Sequence, residues 1–341
     1  MEIIPNYEFV LELGSGSFGS VARAKHSHTG INVAIKEIQK VKSNRQFLRT
    51  EIKALKELCH PNICQLHEVV ETQLYVYLVM QLCQKGSLGD YIKDNGRLNE
   101  ELAQKIFGQT VAAVNYVLEK GYCHRDIKPH NIMLDSDMTV KLIDFGLAVE
   151  IREAAETGVK PAGSILYAAP EAFDGGKYDL EKADIWSLGV MLYEMLTSDL
   201  PFKHHNLPTL YSLIKSGQYE TPSYFSSETT SILKQLIEVD ATKRISCKDL
   251  MAHPWLSAQD LKTESHGVCL DKDNLDEECI SKMCEQYTVS EQKMKDMVAE
   301  WKFDDITANY IMTLQKMKSG NESSSCDSLI DEFELLLDDD E

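Results

Sequence analysis

The stretch GYCHRDIKPHNIML (121–134) sets Asp126, Lys128 and Asn131 within six residues, and LIDFG adds Asp144 shortly afterwards. A carboxylate in such a group can accept the proton of an attacking hydroxyl, and an ammonium beside it can neutralise a transferring phosphoryl group. Asn131 and Asp144 offer two oxygen ligands. That suits Mg2+, which takes a few protein oxygens and completes its shell with phosphates and water. Phosphoryl transfer proceeds through a loose transition state, so positioning and charge neutralisation are the main tasks. Upstream, LGSGSFGSV (13–21) has the form G-x-G-x-x-G-x-V, whose glycines let backbone N–H groups approach phosphate oxygens with no Cβ in the way. VAIK ends an apolar run on Lys36. Burying an unpaired ammonium is costly, so Glu51 on the next predicted helix is its expected partner. Taken singly, each residue has a plainer reading: a turn for Asp126, a cap for Asn131, a surface carboxylate for Asp144, a tight hairpin for the glycines. The whole set in one chain does not.

These residues need elements to hold them. Residues 7–82 read mostly as strands, alternating around the glycine-rich turn and then running through INVAIKEIQ and QLYVYLVM. Strands on both sides of the glycines disfavour a dinucleotide-binding βαβ unit, where a helix should follow. Leu48, Ile52, Leu55 and Cys59 recur at helical spacing between those strands. From Ser87 to about Leu256 the pattern is mostly helical. ELAQKIFGQTVAAVNYVLEKG is a long amphipathic helix stopping at Gly121, and KADIWSLGVMLYEML is apolar almost all round, as a buried central helix would be. A polar linker (257–275) leads to three short helical patterns (276–318), each too short to hold alone in water, which must pack on one another or on the preceding domain. The chain closes on an acidic tail (319–341) with the composition of a disordered segment. Its alternative reading is a docking segment, with Leu329, Ile330, Phe333 and Leu336 on one side of a helix.

The 341 residues exceed what one hydrophobic core usually fills, so two or more domains are expected. A net charge of −19 repels nucleic-acid phosphates and argues against such a partner. Nine acidic residues and no Lys or Arg fall in 321–341, whereas seven Lys or Arg fall between Lys36 and Lys56. No apolar run is long enough for a membrane span, and the N-terminus has no signal-peptide pattern. Nine scattered cysteines without C-x-x-C spacing point to reduced thiols, and so to the cytoplasm or nucleus.

Taken together, G-x-G-x-x-G-x-V, VAIK, HRD-x-K-x-x-N, DFG, APE (169–171), DIWSLG (184–189) and Arg244 resemble the eukaryotic protein kinase family over residues 7–256. The resemblance implies an α+β bilobal fold, with a β-rich N-lobe at 7–82 and a helical C-lobe at 84–256. It also implies transfer of the γ-phosphoryl group of ATP, with Mg2+, to Ser/Thr hydroxyls of protein substrates. Asp126, Lys128, Lys36 and Glu51 are then the catalytic set, and Asn131 and Asp144 the metal ligands. Leu13, Gly14, Ser15, Gly16, Ser17, Phe18, Gly19, Val21, Ala34, Lys36, Gln81 and Cys83 hold the nucleotide, with Met80 as gatekeeper. Asp184 anchors the catalytic loop, Arg244 pairs with Glu171, and Leu55, Leu66, His124 and Phe145 resemble a stacked spine. Lys128-Pro129 and Ser164 resemble serine/threonine rather than tyrosine kinases.

HPNICQLHEVVET, GSILYAAPE, KRISCKDLMAHPW and the segment 276–318 are similar to the AMP-activated-kinase-related branch. In that branch a ubiquitin-associated-like three-helix domain follows the kinase and packs on it. The Met-Gly-Phe loop of ubiquitin binders is not evident, so an intramolecular role is expected, and cell-division signalling is the suggested setting. The branch's C-terminal phospholipid-binding domain has no counterpart here, so the expectation is a truncated or shorter member. A scaffold that kept the fold without activity is the alternative function, opposed by the full catalytic set.

Two departures from the pattern matter. Basophilic relatives carry glutamates where this chain has His130 and Ser87, so selection of an arginine three residues before the acceptor should be weak, although Glu194 and Asp90 remain. The threonine that relatives phosphorylate aligns with Lys160, which cannot take phosphate. Two substitutes are open: phosphorylated Thr157, or Glu153 and Glu156 pairing constitutively with Arg125, the second being preferred.

Overall fold

Alternating residues on either side of the glycine-rich turn pair as an antiparallel hairpin, from Tyr7 opposite His26 to Gly16 opposite Gly19. Register shifts between Phe9 and Leu11 and between Glu12 and Gly14 bulge the first strand. The computed structural model describes residues 4–16, 19–41, 43, 45–157, 162–257 and 274–319. Ser17, Phe18, Lys160, most of the predicted linker and the acidic tail lie outside the described residues.

In chain order, β1 (Tyr7–Gly16), β2 (Gly19–His26) and β3 (Asn32–Gln39) precede helix α1 (Arg45–Glu57), and β4 (Leu66–Glu71) and β5 (Tyr75–Gln81) follow it. Then come α2 (Leu88–Asn95), α3 (Glu100–Glu119), β6 (Tyr122–Cys123), β7 (Ile132–Leu134), β8 (Val140–Leu142) and β9 (Val149–Glu150). Helices α4 (Ile151–Thr157), α5 (Leu180–Thr197), α6 (Leu207–Ser216), α7 (Ser227–Leu236), α8 (Cys247–Met251) and α9 (Pro254–Ser257) continue the chain. Three helices close it: α10 (Glu277–Tyr287), α11 (Glu291–Ala299) and α12 (Asp305–Ser319). Contacts divide the chain into two units, 1–37 with 67–80 and 270–341, and 38–66 with 81–269.

The first unit joins a five-stranded sheet, ordered β1-β2-β3-β5-β4, with the three C-terminal helices. Period-2 alternation puts Ala24, Val33, Ile35, Tyr77 and Val79 in one buried cluster, which Ala308 and Met312 of α12 complete. Polar contacts fix the same packing. Asn6 donates to Asp305 (2.6 Å), Lys316 to the carbonyl of Thr29 (2.7 Å), and the Val69 N–H to the carbonyl of Phe303 (2.9 Å). The helices also hold one another: Met294 and Val298 of α11 are buried, and the Tyr310 hydroxyl of α12 accepts from the Asp276 N–H at the start of α10 (2.8 Å). Short helices that could not persist singly are stable here because they share an apolar centre.

Under this packing lies an acidic pair. Tyr7 donates to Glu68 (2.6 Å), and Tyr287 donates to Asp305 (3.1 Å) while accepting from Asn309 (3.0 Å). Burial pushes the Glu68 carboxyl up to about 7, the Tyr7 hydroxyl opposes that, and Asp305 and Asp304 add to it. Two histidines are buried nearby in the sequence, His26 and His67, and neither ring nitrogen of His67 has a hydrogen-bond partner among the described residues.

The second unit is built on α3 and α5. Helix α5 is buried along nearly its whole length, as its all-round apolar sequence predicts, and Asp179 caps it by accepting from the Lys182 N–H (3.2 Å). Helix α3 ends where Gly121 turns with φ +83°, a conformation that suits glycine. Trp186 of α5 stacks on Phe202 (5.8 Å between centroids), and the fully buried Arg244 guanidinium lies over Trp186 (5.1 Å). Arg244 meets Glu171 through two N–H groups (2.6 and 3.0 Å), a fork geometry that lysine cannot supply.

Candidate active site

Backbone strain and buried anchors place the HRD stretch. Arg125 adopts φ +68°, and its N–H and that of His124 donate to the two carboxylate oxygens of Asp184 (2.9 and 2.8 Å). Burial pushes the Asp184 carboxyl up, while these donors and the electrostatic pull of His124 and Arg125 act the other way. His124 donates from Nε2 to the carbonyl of Ile143 (2.9 Å) and accepts the Asp126 N–H at Nδ1 (3.3 Å), which assigns a neutral ring. Its ring meets Phe145 edge-on (5.0 Å between centroids), and Leu55 and Leu66 are buried in the same unit.

Asp126 is then surrounded by donors. Oδ1 accepts from the N–H and the hydroxyl of Ser164 (both 2.9 Å), and Oδ2 accepts from Lys128 (2.7 Å) and Asn131 (3.0 Å). Lys128 also donates to the Ser164 hydroxyl (2.9 Å), and Asn131 to the carbonyl of Asp126 (2.7 Å). Burial alone would raise the Asp126 carboxyl, but Lys128, Ser164 and Asn131 outweigh it and hold the group below the usual carboxylate range. Gly163 makes this closure possible. At φ +92° it brings its Cα so near that a Cβ would lie 2.3 Å from the carbonyl oxygen of Arg125.

Asp144 sits in the left-handed region (φ 65°, ψ 72°) at the head of a short 3-10 turn, Phe145–Leu147. A Cβ on Gly146 would approach the Asp144 carboxylate (3.3 Å) and the Glu51 carboxylate (3.6 Å), so α1 lies against this turn with its buried Glu51 beside it. Asn131 and Asp144 provide one amide and one carboxylate oxygen, a donor pair that fits Mg2+ sharing its shell with phosphates. Among the described residues no group of three or more His, Cys, Asp or Glu is placed to hold a metal ion, so such an ion would depend on those further ligands.

The predicted nucleotide residues divide between the units. Gly14, Gly16, Gly19 and Val21 lie on the β1–β2 hairpin, with Leu13 exposed. Val21, Ala34 and Lys36 alternate with Ala22, Val33 and Ile35, which point to the buried side, so they occupy the sheet face opposite α12. Gln81 and Cys83 belong to the second unit, where Gln81 N–H donates to the carbonyl of Gln65 (2.9 Å) and Cys83 is buried. Thr157 ends α4, a helix the sequence reading did not foresee.

Other functional contacts were also not read from the sequence. The His130 ring lies directly against Gly89 of α2, where a Cβ would come within 2.8 Å of it. Ser87 and Asp90 satisfy each other: the Ser87 hydroxyl donates to the Asp90 carboxylate (2.6 Å) and accepts its N–H (3.1 Å). Tyr167 donates to Glu194 (2.5 Å), whose carboxyl burial raises while Tyr167 and His130 lower it.

Comparison with known proteins gives matches to two family models and to curated relatives. The model of the protein kinase domain matches residues 7–256, and that of the maternal embryonic leucine zipper kinase UBA domain matches 275–317. Maternal embryonic leucine zipper kinase of Danio rerio is 38% identical over 323 residues, covering 94% of this chain and 48% of that protein. The Xenopus tropicalis protein of the same name is 37% identical over 322 residues, covering 94% and 49%. The chain therefore spans about half the length of the curated relatives it matches.

Proposed function

The chain belongs to the protein kinase family, and from that premise we propose that it transfers the γ-phosphoryl group of Mg-ATP to serine and threonine hydroxyls of protein substrates. The observation that carries this reading is the four-donor cradle around Asp126. A carboxylate so held is a weak base, and a loose transition state does not ask for a strong one. Asp126 orients the acceptor hydroxyl and takes its proton late, as the bond to phosphorus forms. Lys128 faces the developing charge. Asn131 and Asp144 are the residues that would hold Mg2+, which when bound neutralises phosphate oxygens. Lys36 and Glu51 are proposed, from the resemblance, as the phosphate-binding lysine and its counter-charge. The hairpin glycines, Val21, Ala34, Gln81 and Cys83 are proposed for the nucleotide.

The C-terminal helices are proposed to act within the chain, bracing the sheet, a role that the cluster of Ala308 and Met312 with Val33 and Ile35 supports. A cytoplasmic or nuclear setting is proposed from the seven described cysteines, all free thiols. Cell-cycle or cell-division signalling is the setting proposed, from the resemblance to the AMP-activated-kinase-related branch alone.

Asp126→Asn tests the catalytic assignment. It should cut phosphate transfer by about 10²–10⁴-fold and leave ATP binding, read by fluorescence titration, largely intact. A variant transferring at the parent rate would remove Asp126 from this role.

A further inference from the structure

Helix α1 carries a row of exposed basic residues, Arg45, Arg49 and Lys53, at helical spacing on a strongly acidic protein. One of them is engaged by the activation segment, the stretch 144–171 that runs from DFG to APE. Lys53 donates to the Glu150 carboxylate, and Gln46, about two turns earlier on α1, donates to Glu153 (3.3 Å). Glu150 is fixed in turn by the β6–β9 pairing, opposite Tyr122. The Tyr122 hydroxyl reaches back to Glu57 at the end of α1 (2.6 Å). Helix α4, which carries Glu153, is seated by Ala154 in an apolar cluster with Cys123 and Leu180. Its backbone is held by Ile151 N–H on the carbonyl of Gly121 (2.8 Å) and by Lys177 on the carbonyl of Ala155 (2.7 Å). Three carboxylates thus face Lys53, from β9, α4 and α1 itself, and they raise its ammonium, Glu150 most through its hydrogen bond.

We propose that the activation segment holds α1 through its own carboxylates, Glu150 and Glu153, with Lys53 and Gln46 as the positioning residues on the helix. The segment then stays in its working arrangement without a phosphate. The inference rests on the kinase reading above. The charge suffices, because two glutamates carry about the −1.5 to −2 of a phosphorylated side chain at neutral pH. What they hold matters for catalysis, because the other side of α1 presents Glu51 to the turn that starts at Asp144. The usual phosphorylated position aligns with Lys160, outside the described residues, and the proposal makes that lysine unsurprising.

The test uses the full chain, phosphatase-treated and shown free of phosphate by intact mass. It should keep most of its initial rate on a serine peptide. Lys53→Glu and Glu150→Lys should each lower kcat/KM for ATP by about fivefold, the upper range for a pair this exposed, with unchanged Tm. They should also speed hydrogen exchange in 45–57. The double variant Lys53→Glu/Glu150→Lys should recover both readouts. Collapse of the rate on phosphatase treatment, single reversals without effect on either readout, or a swap that recovers neither would overturn the proposal. A parent inactive before any treatment would instead remove the kinase reading, and this inference with it.

Discussion

At the scale of a single residue, His130 bears on which substrates the site would select. The imidazole stands beside the catalytic loop, packed on Gly89, while Asp90 is occupied by Ser87 and Glu194 by Tyr167. An arginine upstream of the acceptor therefore meets no uncommitted carboxylate from these residues. A charge-assisted contact of that kind contributes about 1.5–3 kcal/mol, so its loss should flatten arginine selection in a positional peptide library, and His130→Glu should restore part of it. Strong arginine selection by the parent would contradict this. The candidate catalytic residues were legible in the sequence, because the proposed chemistry asks for Asp, Lys and Asn at fixed short spacings. Gly89 was not. Its significance lies in a ring brought to it from a distant part of the chain, and no local pattern encodes that.

At the scale of elements, α5 was legible for the opposite reason: an apolar sequence on every side can only be a buried helix. Strands of two or three residues such as β6 and β9 are below what periodicity resolves, and their existence depends on each other. Helix α4 was not singled out within the helical stretch, although IREAAET is made mostly of good helix formers. The ion pair of Arg244 with Glu171 ties the connection between α7 and α8 to the end of the activation segment and invites a measurement. The Arg244 side chain is fully buried and Glu171 is 17% exposed. Glu171→Ala leaves a buried cation whose remaining hydrogen-bond partners among the described residues are the carbonyls of Glu238, Lys182 and Val239. Removing one partner of a buried pair costs about 3–5 kcal/mol, so the urea midpoint of the variant should fall by a corresponding amount. An unchanged midpoint would show that the carbonyls suffice.

For the molecule as a whole, the first unit carries a pH dependence of its own. Burial lowers His26 to about 4, with His28 adding to it, and His67 to about 3, with His26 adding to it. The unfolded chain binds protons at both sites below about 6.5 and the folded chain does not, so stability falls as pH drops from there toward 4. Glu68 works the other way: folded it keeps its proton to about 7, against 4.5 unfolded, so stability falls as pH rises through that window. Two histidines against one carboxylate leave a net loss on the acid side. Tm should decline from pH 6.5 to 5, and His67→Leu should flatten that decline; an equal slope in the variant would place the sensitivity elsewhere. None of this was visible in the sequence, because burial is a property of the packed sheet and helices. The same burial has a practical consequence for the thiols. Cys247 of the helical unit and Cys279 of the first unit are almost inaccessible, and burial pushes each up to about 12. Buried and protonated, neither can be alkylated until its surroundings open. The rate at which each gains the mass of an alkylating agent is therefore a clock for the opening of its own unit, two clocks already installed in one chain.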